Sequence, residues 1–227
     1  MSNKKIVNYV RTRNKNLFEH NFKQFQVLIN DPLPENVDIK LVFNQIQDFV
    51  PSNFLKLIDV VYVGDFPFLN EREITSMFSD GALYISNQQD NNQDLKDDIL
   101  HEISHAVEEK YNDFLYNDEE IKNEYFAKLK KLKSYLIFEG YHPGGIEFFN
   151  IHYNEEFDNF LLNTVGYDKL GSFIAGLFIN PYSLTSLREY FATGFEEYFL
   201  GDQIYLSKVC PYLFNKLSFL NEAMEDE

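Results

Sequence analysis

Short apolar segments separated by polar turns make up the first 86 residues of the chain. Three of them, 39–43, 57–66 and 81–86, are rich in β-branched and aromatic residues, a composition that favours strands. Residues 1–29 instead carry large apolar side chains three or four positions apart, which predicts a helix. A shorter helix is predicted at 71–81, where a glycine would end it.

Beyond residue 90 the apolar positions follow helical periodicity over longer stretches. The first helix is expected to begin near Asn92 or Asp94, since either side chain can cap it. Further helices are predicted at 118–138, 155–166, 184–200 and after Pro211. Strands followed by helices are typical of the α+β class. The predicted fold is therefore a small mixed sheet followed by a mostly helical C-terminal half.

Charge and composition narrow the classes of function. The chain has 36 acidic and 20 basic residues, a net charge of −16. This negative balance argues against binding to nucleic acids and to anionic membrane surfaces, which attract basic proteins. No apolar run reaches the ~18 residues that a membrane-spanning helix needs. We therefore expect no nucleic acid and no membrane among the partners.

Features of an exported protein are missing from the sequence. The first 20 residues contain no apolar core of a secretory signal. Cys210 is the only cysteine, which rules out an intrachain disulfide and suits a reducing compartment. The prediction is a cytoplasmic protein, or one delivered by a non-classical route.

One stretch of the helix predicted near Asn92 carries candidate chemistry. Residues 97–110 read DDILHEISHAVEEK, in which His101 and His105 are four apart and share one helix face. Neutral imidazoles suit Zn²⁺, which takes three protein ligands and a water in catalytic sites. Glu102 lies beside them, where it can take a proton from that water, whose pKa zinc lowers towards ~7. This pattern predicts a zinc site for peptide-bond hydrolysis.

The same residues also fit an ordinary surface helix with one apolar and one polar stripe. The polar stripe consists of Asp94, Asp98, His101, Glu102, His105 and Glu109. A third metal ligand would decide between a zinc site and a hydrated helix face.

Three downstream residues are candidates for the third ligand. Tyr111 occupies the position of the third histidine in metzincins and so excludes that arrangement. His142 lies in a predicted turn, whereas Glu189 and Glu196 are seven apart on one face of a predicted helix. Glu189 has an alternative role, because Ser186 three residues earlier completes a capping box.

Three segments in this order resemble the catalytic domain of anthrax toxin lethal factor and the related Pro-Pro endopeptidases, which are gluzincin-type zinc proteases. They are GALYIS (81–86) leading into DILHEISHAVEE (98–109), NPYSLTSLREYFATGFEEYFL (180–200) and CPYLFNKLSFL (210–220). In that family a tyrosine stands seven residues before a glutamate that opens an aromatic helix. Tyr182 stands seven residues before Glu189 here.

The resemblance implies a role for each residue of the site. His101, His105 and Glu189 would bind Zn²⁺, and Glu102 would act as the general base. Tyr182 would donate a hydrogen bond to the oxyanion of the tetrahedral intermediate. The alternative for this tyrosine is a buried ring in an aromatic-rich core.

The resemblance also implies how the chain is organised. Residues 1–227 would form a single zincin-like catalytic domain, with an N-terminal accessory region at 1–56. The second histidine and the glutamate ligand are further apart than in the family, so 112–170 would be an insertion. Strand 81–86 would lie at the edge of the cleft and pair with an extended peptide or protein substrate.

The predicted function is thus that of a zinc-dependent metalloendopeptidase. The alternative is a zincin-like binding or structural protein, such as a phage or effector component, that cleaves nothing. The negative charge also raises the idea of a partner for basic proteins, although charge alone does not specify a partner.

Overall fold

The structure is a computed structural model that describes residues 18–22 and 24–225. Its contacts divide the chain into two compact units, with the boundary between Ala106 and Val107. The single catalytic domain, the accessory region and the insertion that the sequence predicts stay predictions.

The first unit contains five short strands and the helices that connect them. Its elements are β1 (Phe18–Asn21), β2 (Gln26–Ile29), α1 (Ile39–Phe49), α2 (Ser52–Leu55), β3 (Val60–Gly64), α3 (Pro67–Asn70), β4 (Ser76–Ser79), β5 (Ala82–Ser86) and the start of α4 (Asn92–Tyr116). Helix α4 continues past the boundary and has one non-helical residue, Tyr111 (φ −109°, ψ 22°).

The strands form one mixed sheet in the order β1-β2-β3-β5-β4. The central strands β2, β3 and β5 are parallel, whereas β1 and β4 pair antiparallel at the two ends. Together with the largely helical remainder, this sheet confirms the predicted α+β class. The strands predicted at 57–66 and 81–86 are confirmed as β3 and β5.

The position of β5 within the sheet differs from the prediction. The sequence resemblance puts strand 81–86 at the edge of a cleft. In the structure β5 pairs with β3 on one side and with β4 on the other, so neither side can accept a further strand. The edge prediction is therefore wrong, and β4 is the end strand on this side of the described sheet.

Apolar residues cover both faces of the central strands. On one face the rings of Tyr62 and Tyr84 stack with centroids 5.4 Å apart, and Phe66 and Phe68 meet Tyr84 edge-on. Because successive residues of a strand point to opposite faces, the residues next to these tyrosines lie on the other face. They are fully buried and are Val61, Val63, Leu83 and Ile85. Burial on both faces explains why these strands read as nearly continuous apolar runs.

The helix predicted at 1–29 is wrong at its C-terminal end, where β1 and β2 pair antiparallel. Residues 1–17 and residue 23 lie outside the described part of the chain. The aromatic spacing suggests a helix, but the buried positions Phe25, Val27 and Ile29 are two apart, as in a strand.

The strand predicted at 39–43 is wrong, because helix α1 begins there. Asp38 caps this helix, and its Oδ1 accepts hydrogen bonds from the N–H groups of Lys40 (3.0 Å) and Leu41 (3.1 Å). The buried positions then follow helical spacing and are Ile39, Val42, Phe43 and Ile46. Capping and burial of one face outweigh the β-branched composition of the segment.

The helix predicted at 71–81 is also wrong, because the segment forms a turn and strand β4. Asp80 and Gly81 make the two-residue loop between β4 and β5, with φ angles of 50° and 77°. An Asp-Gly pair suits this loop because both positions need left-handed backbone. Gly81 therefore marks a hairpin and not the end of a helix.

The second unit is helical throughout its regular elements. These are the remainder of α4, α5 (Glu120–Phe138), α6 (Glu155–Asn159) with a π-helical continuation (Phe160–Val165), α7 (Tyr167–Ile174), a 3₁₀ turn (Tyr182–Leu184), α8 (Leu187–Leu200), α9 (Gln203–Val209) and α10 (Pro211–Glu225). The predicted helices are confirmed, and α7 and α9 are additional. None of the helices in the described residues combines the length and apolar character needed to cross a membrane.

A buried polar network joins α5, α8 and the start of α10. Lys128 donates to the hydroxyl of Tyr190 (2.5 Å) and to the Sγ of Cys210 (3.0 Å). The Tyr190 hydroxyl donates to Glu124 Oε2 (2.8 Å), and Glu124 Oε1 accepts the N–H of Tyr212 (3.1 Å). Buried charges are tolerated only when they are paired. The network therefore fixes α8 against its neighbours.

The pKa of Tyr84 gives a test of the strand core. Burial, which has the largest effect, and the neighbouring Tyr62 and Asp80 together raise this pKa to about 12. A tyrosine of the unfolded chain titrates near ~10. The stability that Tyr84 contributes is thus complete below pH ~10 and is lost as the pH rises towards ~12. In urea denaturation across this range, Tyr84→Phe should lose less free energy of unfolding than the unsubstituted protein. Parallel curves would contradict the assignment.

Gly194 tests the packing of α8 against α10. A Cβ at this position would collide with the side chain of Leu213, which is fully buried and has little room to move. Gly194→Ala should therefore lower the free energy of unfolding by about 1–3 kcal/mol. Gly171→Ala in α7 is the control, because nothing lies within 4 Å of a Cβ there. The control should be neutral or stabilising by up to ~1 kcal/mol. Equal effects in chemical denaturation would contradict the packing account.

Candidate metal centre

Helix α4 begins one residue earlier than the predicted caps allow. The side chain of Asn91 caps it, since Oδ1 accepts the N–H groups of Gln93 (2.7 Å) and Asp94 (3.1 Å). Asn92 and Asp94 are therefore residues of the first turn and not the cap. The acidic Asp94 suits the positive end of the helix dipole.

The polar residues in the middle of α4 are buried. Only 5% of Glu102 and 6% of His105 is exposed, and His101 is partly buried. A hydrated helix face would leave these side chains in water. The surface-helix alternative is therefore wrong for this part of α4, and burial of such groups requires compensating interactions.

His101, His105 and Glu189 come together as a potential ligand set. The two imidazole rings have centroids 4.7 Å apart and are nearly perpendicular. One ligand atom from each histidine and one carboxylate oxygen of Glu189 all lie within 4.8 Å of one another. Within the described residues this is the one group of three or more such side chains that could hold a metal ion.

Ser186 is the cap of helix α8. Its Oγ accepts the backbone N–H of Glu189 (3.1 Å), so this half of the predicted capping box is present. The bond uses the main chain of Glu189 and does not depend on its carboxylate.

The other two candidates for a third ligand do not join the group. His142 is exposed in the loop after α5, and Glu196 lies two turns further along α8 than Glu189. The ligand set that the structure offers is therefore the one with Glu189.

The carboxylate of Glu102 contacts strand β4. Oε1 accepts the hydroxyl of Ser76 (2.8 Å), and Oε2 accepts the backbone N–H of Phe78 (2.5 Å). Ser76 is itself buried. Hydrogen bonds to a charged acceptor are stronger than neutral ones, so this pair of donors can offset the burial of the carboxylate.

Asp98 is a neighbour of the site that sequence reasoning treats only as part of a polar stripe. Gln89 donates to its Oδ2 (3.0 Å) and to the carbonyl of Ser86 at the end of β5 (3.3 Å). Burial raises the pKa of Asp98, while hydrogen bonds from Gln89 and Thr75 and the charge of His101 oppose this rise. The spacing of three residues to His101 is the signal that could have identified Asp98.

Glu108 is a second group that the sequence reasoning misses. It is buried, it accepts the hydroxyl of Tyr116 (2.5 Å), and the guanidinium of Arg188 lies 4.0 Å away. Burial raises the pKa of Glu108, which the tyrosine hydrogen bond and Arg188 oppose and the charge of Glu189 reinforces. Arg188 and Glu189 are adjacent in α8, so Glu108 contributes to the electrostatic environment of the ligand set.

Tyr182 begins the 3₁₀ turn before α8 and is half exposed. Its carbonyl accepts the N–H and the hydroxyl of Thr185 (3.0 and 2.9 Å), which holds the turn. The alternative of a ring buried in an aromatic core is therefore wrong. The role of Tyr182 as the oxyanion donor stays a prediction.

The donor set fits zinc. Two imidazoles and one carboxylate are the ligands of catalytic zinc sites that keep an open position for water. Zinc–ligand distances of ~2.0–2.2 Å would draw together atoms that already lie within 4.8 Å of one another. Cysteine takes no part, because Cys210 belongs to the network with Lys128.

No family model matches the chain, and neither the curated proteins nor the solved structures compared with it include a match.

Replacing Glu189 tests the ligand set directly. Glu189→Gln should keep the helix cap, because Ser186 bonds to the backbone N–H, but should weaken zinc binding by more than about 100-fold, beyond the usual effect of an outer-shell partner. Isothermal titration with Zn²⁺ measures the affinity. Glu196→Gln on the same helix is the control and should bind zinc like the unsubstituted protein. Equal affinities in all three proteins would exclude Glu189 as a ligand.

Proposed function

We propose that this protein is a zinc-dependent metalloendopeptidase that hydrolyses peptide bonds of a protein substrate. The observation that supports it most is the group formed by His101, His105 and Glu189, with Glu102 on the same helix as the two histidines. We further propose a zincin-like fold and membership of the gluzincin group, on the basis of the segments that resemble lethal factor and the Pro-Pro endopeptidases.

Each residue has a defined task in this proposal. Zinc bound by His101, His105 and Glu189 would supply an acidified water and polarise the scissile carbonyl. Glu102 takes the proton of the attacking water on its carboxylate and passes it to the leaving amine. The Tyr182 hydroxyl donates a hydrogen bond to the oxyanion that develops on the carbonyl, an interaction needed only in the transition state.

Strand β4 is the element to which an extended substrate would bind. It is an end strand of the described sheet, whereas β5 has partners on both sides. End strands present unpaired backbone groups to which a peptide can add as a further strand. Backbone pairing would orient the peptide, and side-chain pockets would choose the sequence.

Two substitutions test the proposed chemistry. Glu102→Gln should retain zinc and reduce kcat for cleavage of a peptide library by about 10²–10⁴, because the base is lost. Tyr182→Phe should reduce kcat by about 10²–10³ through the loss of an oxyanion donor. Tyr167→Phe is the control, since this tyrosine is also about half exposed and lies outside the site. Cleavage that survives Glu102→Gln at the original rate would refute the mechanism.

A zincin-like binding protein without activity is the second candidate. The observation in its favour is that both carboxylate oxygens of Glu102 accept hydrogen bonds from β4. The two candidates differ in one measurement. A protein that binds one equivalent of zinc and leaves a proteome-derived peptide library intact would favour the binding protein.

A further inference from the structure

The hydrogen bonds of Glu102 connect the candidate base to the strand that would bind substrate. Ser76 and the N–H of Phe78 both belong to β4, and each donates to a different oxygen of the carboxylate. Glu102 and Ser76 are buried, with 5% and 9% of their surfaces exposed. The two donors therefore hold the carboxylate in one orientation against β4.

The N–H of Phe78 points away from β5. Ser86 donates its N–H to the carbonyl of Thr75 (2.7 Å), so this opposite pair is hydrogen-bonded. Bonded and non-bonded pairs alternate along an antiparallel ladder. Phe78 lies three residues after Thr75 and faces Leu83, so the pair of Phe78 and Leu83 is a non-bonded one. Its N–H lies on the side of β4 where an added strand would pair.

Two acceptors would therefore compete for the N–H of Phe78. An extended peptide that adds to β4 needs the outward N–H groups of the strand as donors for its carbonyls. Phe78 supplies such a donor, and Glu102 Oε2 already accepts from it at 2.5 Å. Strand addition uses backbone groups, so an added peptide would not need the side-chain hydroxyl of Ser76 as a donor.

We propose that Ser76 is a positioning residue for Glu102, and that substrate pairing with β4 takes the Phe78 N–H and so releases Oε2 as the proton acceptor. This inference rests on the proposed function. Ser76 keeps Oε1 and hence the orientation of the carboxylate during the exchange. Before substrate arrives, the base is held on the strand; once substrate is paired, one oxygen is ready to take the proton of the attacking water.

Kinetics of Ser76 variants test the positioning role. Ser76→Ala should lower kcat about 10-fold or more while KM and zinc content stay unchanged, because only the orientation of the base is affected. Ser76→Thr restores the hydroxyl and should recover most of the rate. Ser79→Ala is the matched control on β4, since the Ser79 hydroxyl donates to the adjacent Asp80 (3.2 Å). An unchanged kcat in Ser76→Ala, or an equal loss in Ser79→Ala, would overturn the role.

Amide hydrogen exchange of the zinc-free protein tests the contact without any activity. The Phe78 amide should exchange slowly in the unsubstituted protein and much faster in Glu102→Ala, while the Tyr84 amide in β5 keeps its rate. Glu102→Gln retains the volume of the side chain and should give an intermediate rate, which guards against a folding defect in the alanine variant. Slow exchange at Phe78 in both variants would overturn the proposal.

The two failures are distinguishable. If the unsubstituted protein neither binds zinc nor cleaves peptides, the proposed function fails and the release step fails with it, whatever the exchange rates show. If the protein is active but the exchange rate of the Phe78 amide is the same in the Glu102 variants, the function stands and the positioning proposal alone is refuted.

Discussion

Burial of a carboxylate and an imidazole on α4 is the constraint on which the candidate site depends. Glu102 and His105 lose nearly all contact with water, and groups of this kind cost several kcal/mol when they are left without compensation. Two donors from β4 compensate Glu102. A cation bound by His101, His105 and Glu189 would compensate the burial of these ligands. The burial therefore connects the fold of the first unit with the proposed chemistry.

A second buried network gives Glu189 a fixed backbone. Its neighbour Tyr190 takes part in the chain of hydrogen bonds from Lys128 to Glu124, and Ser186 caps the same helix. Catalytic geometry requires side chains carried by rigid elements whose positions packing and hydrogen bonds determine. Helix α8 meets this requirement within the second unit, independently of any ligand.

The sequence predicts the long helices, the candidate ligands and strands β3 and β5, but not β1, β2 and β4. The spacing of His101 and His105 is a local property of one helix, so it can be read directly. The errors arise where local signals compete. Segment 39–43 has the composition of a strand, but the cap at Asp38 favours helix α1. Residues 71–81 have a helical pattern, but Asp80 and Gly81 form the turn of a hairpin. The order of the strands depends on tertiary pairing, so the sequence alone identifies neither the edge strand nor the partners of Glu102.

The most direct test of the account is to locate zinc in crystals of the zinc-loaded protein by anomalous diffraction at the zinc absorption edge. The account predicts one strong peak about 2.0–2.2 Å from a nitrogen of His101, a nitrogen of His105 and a carboxylate oxygen of Glu189. Glu102 should lie close to this peak without ligating the metal. A structure with no peak there, or with zinc held by other side chains, would contradict the central claim.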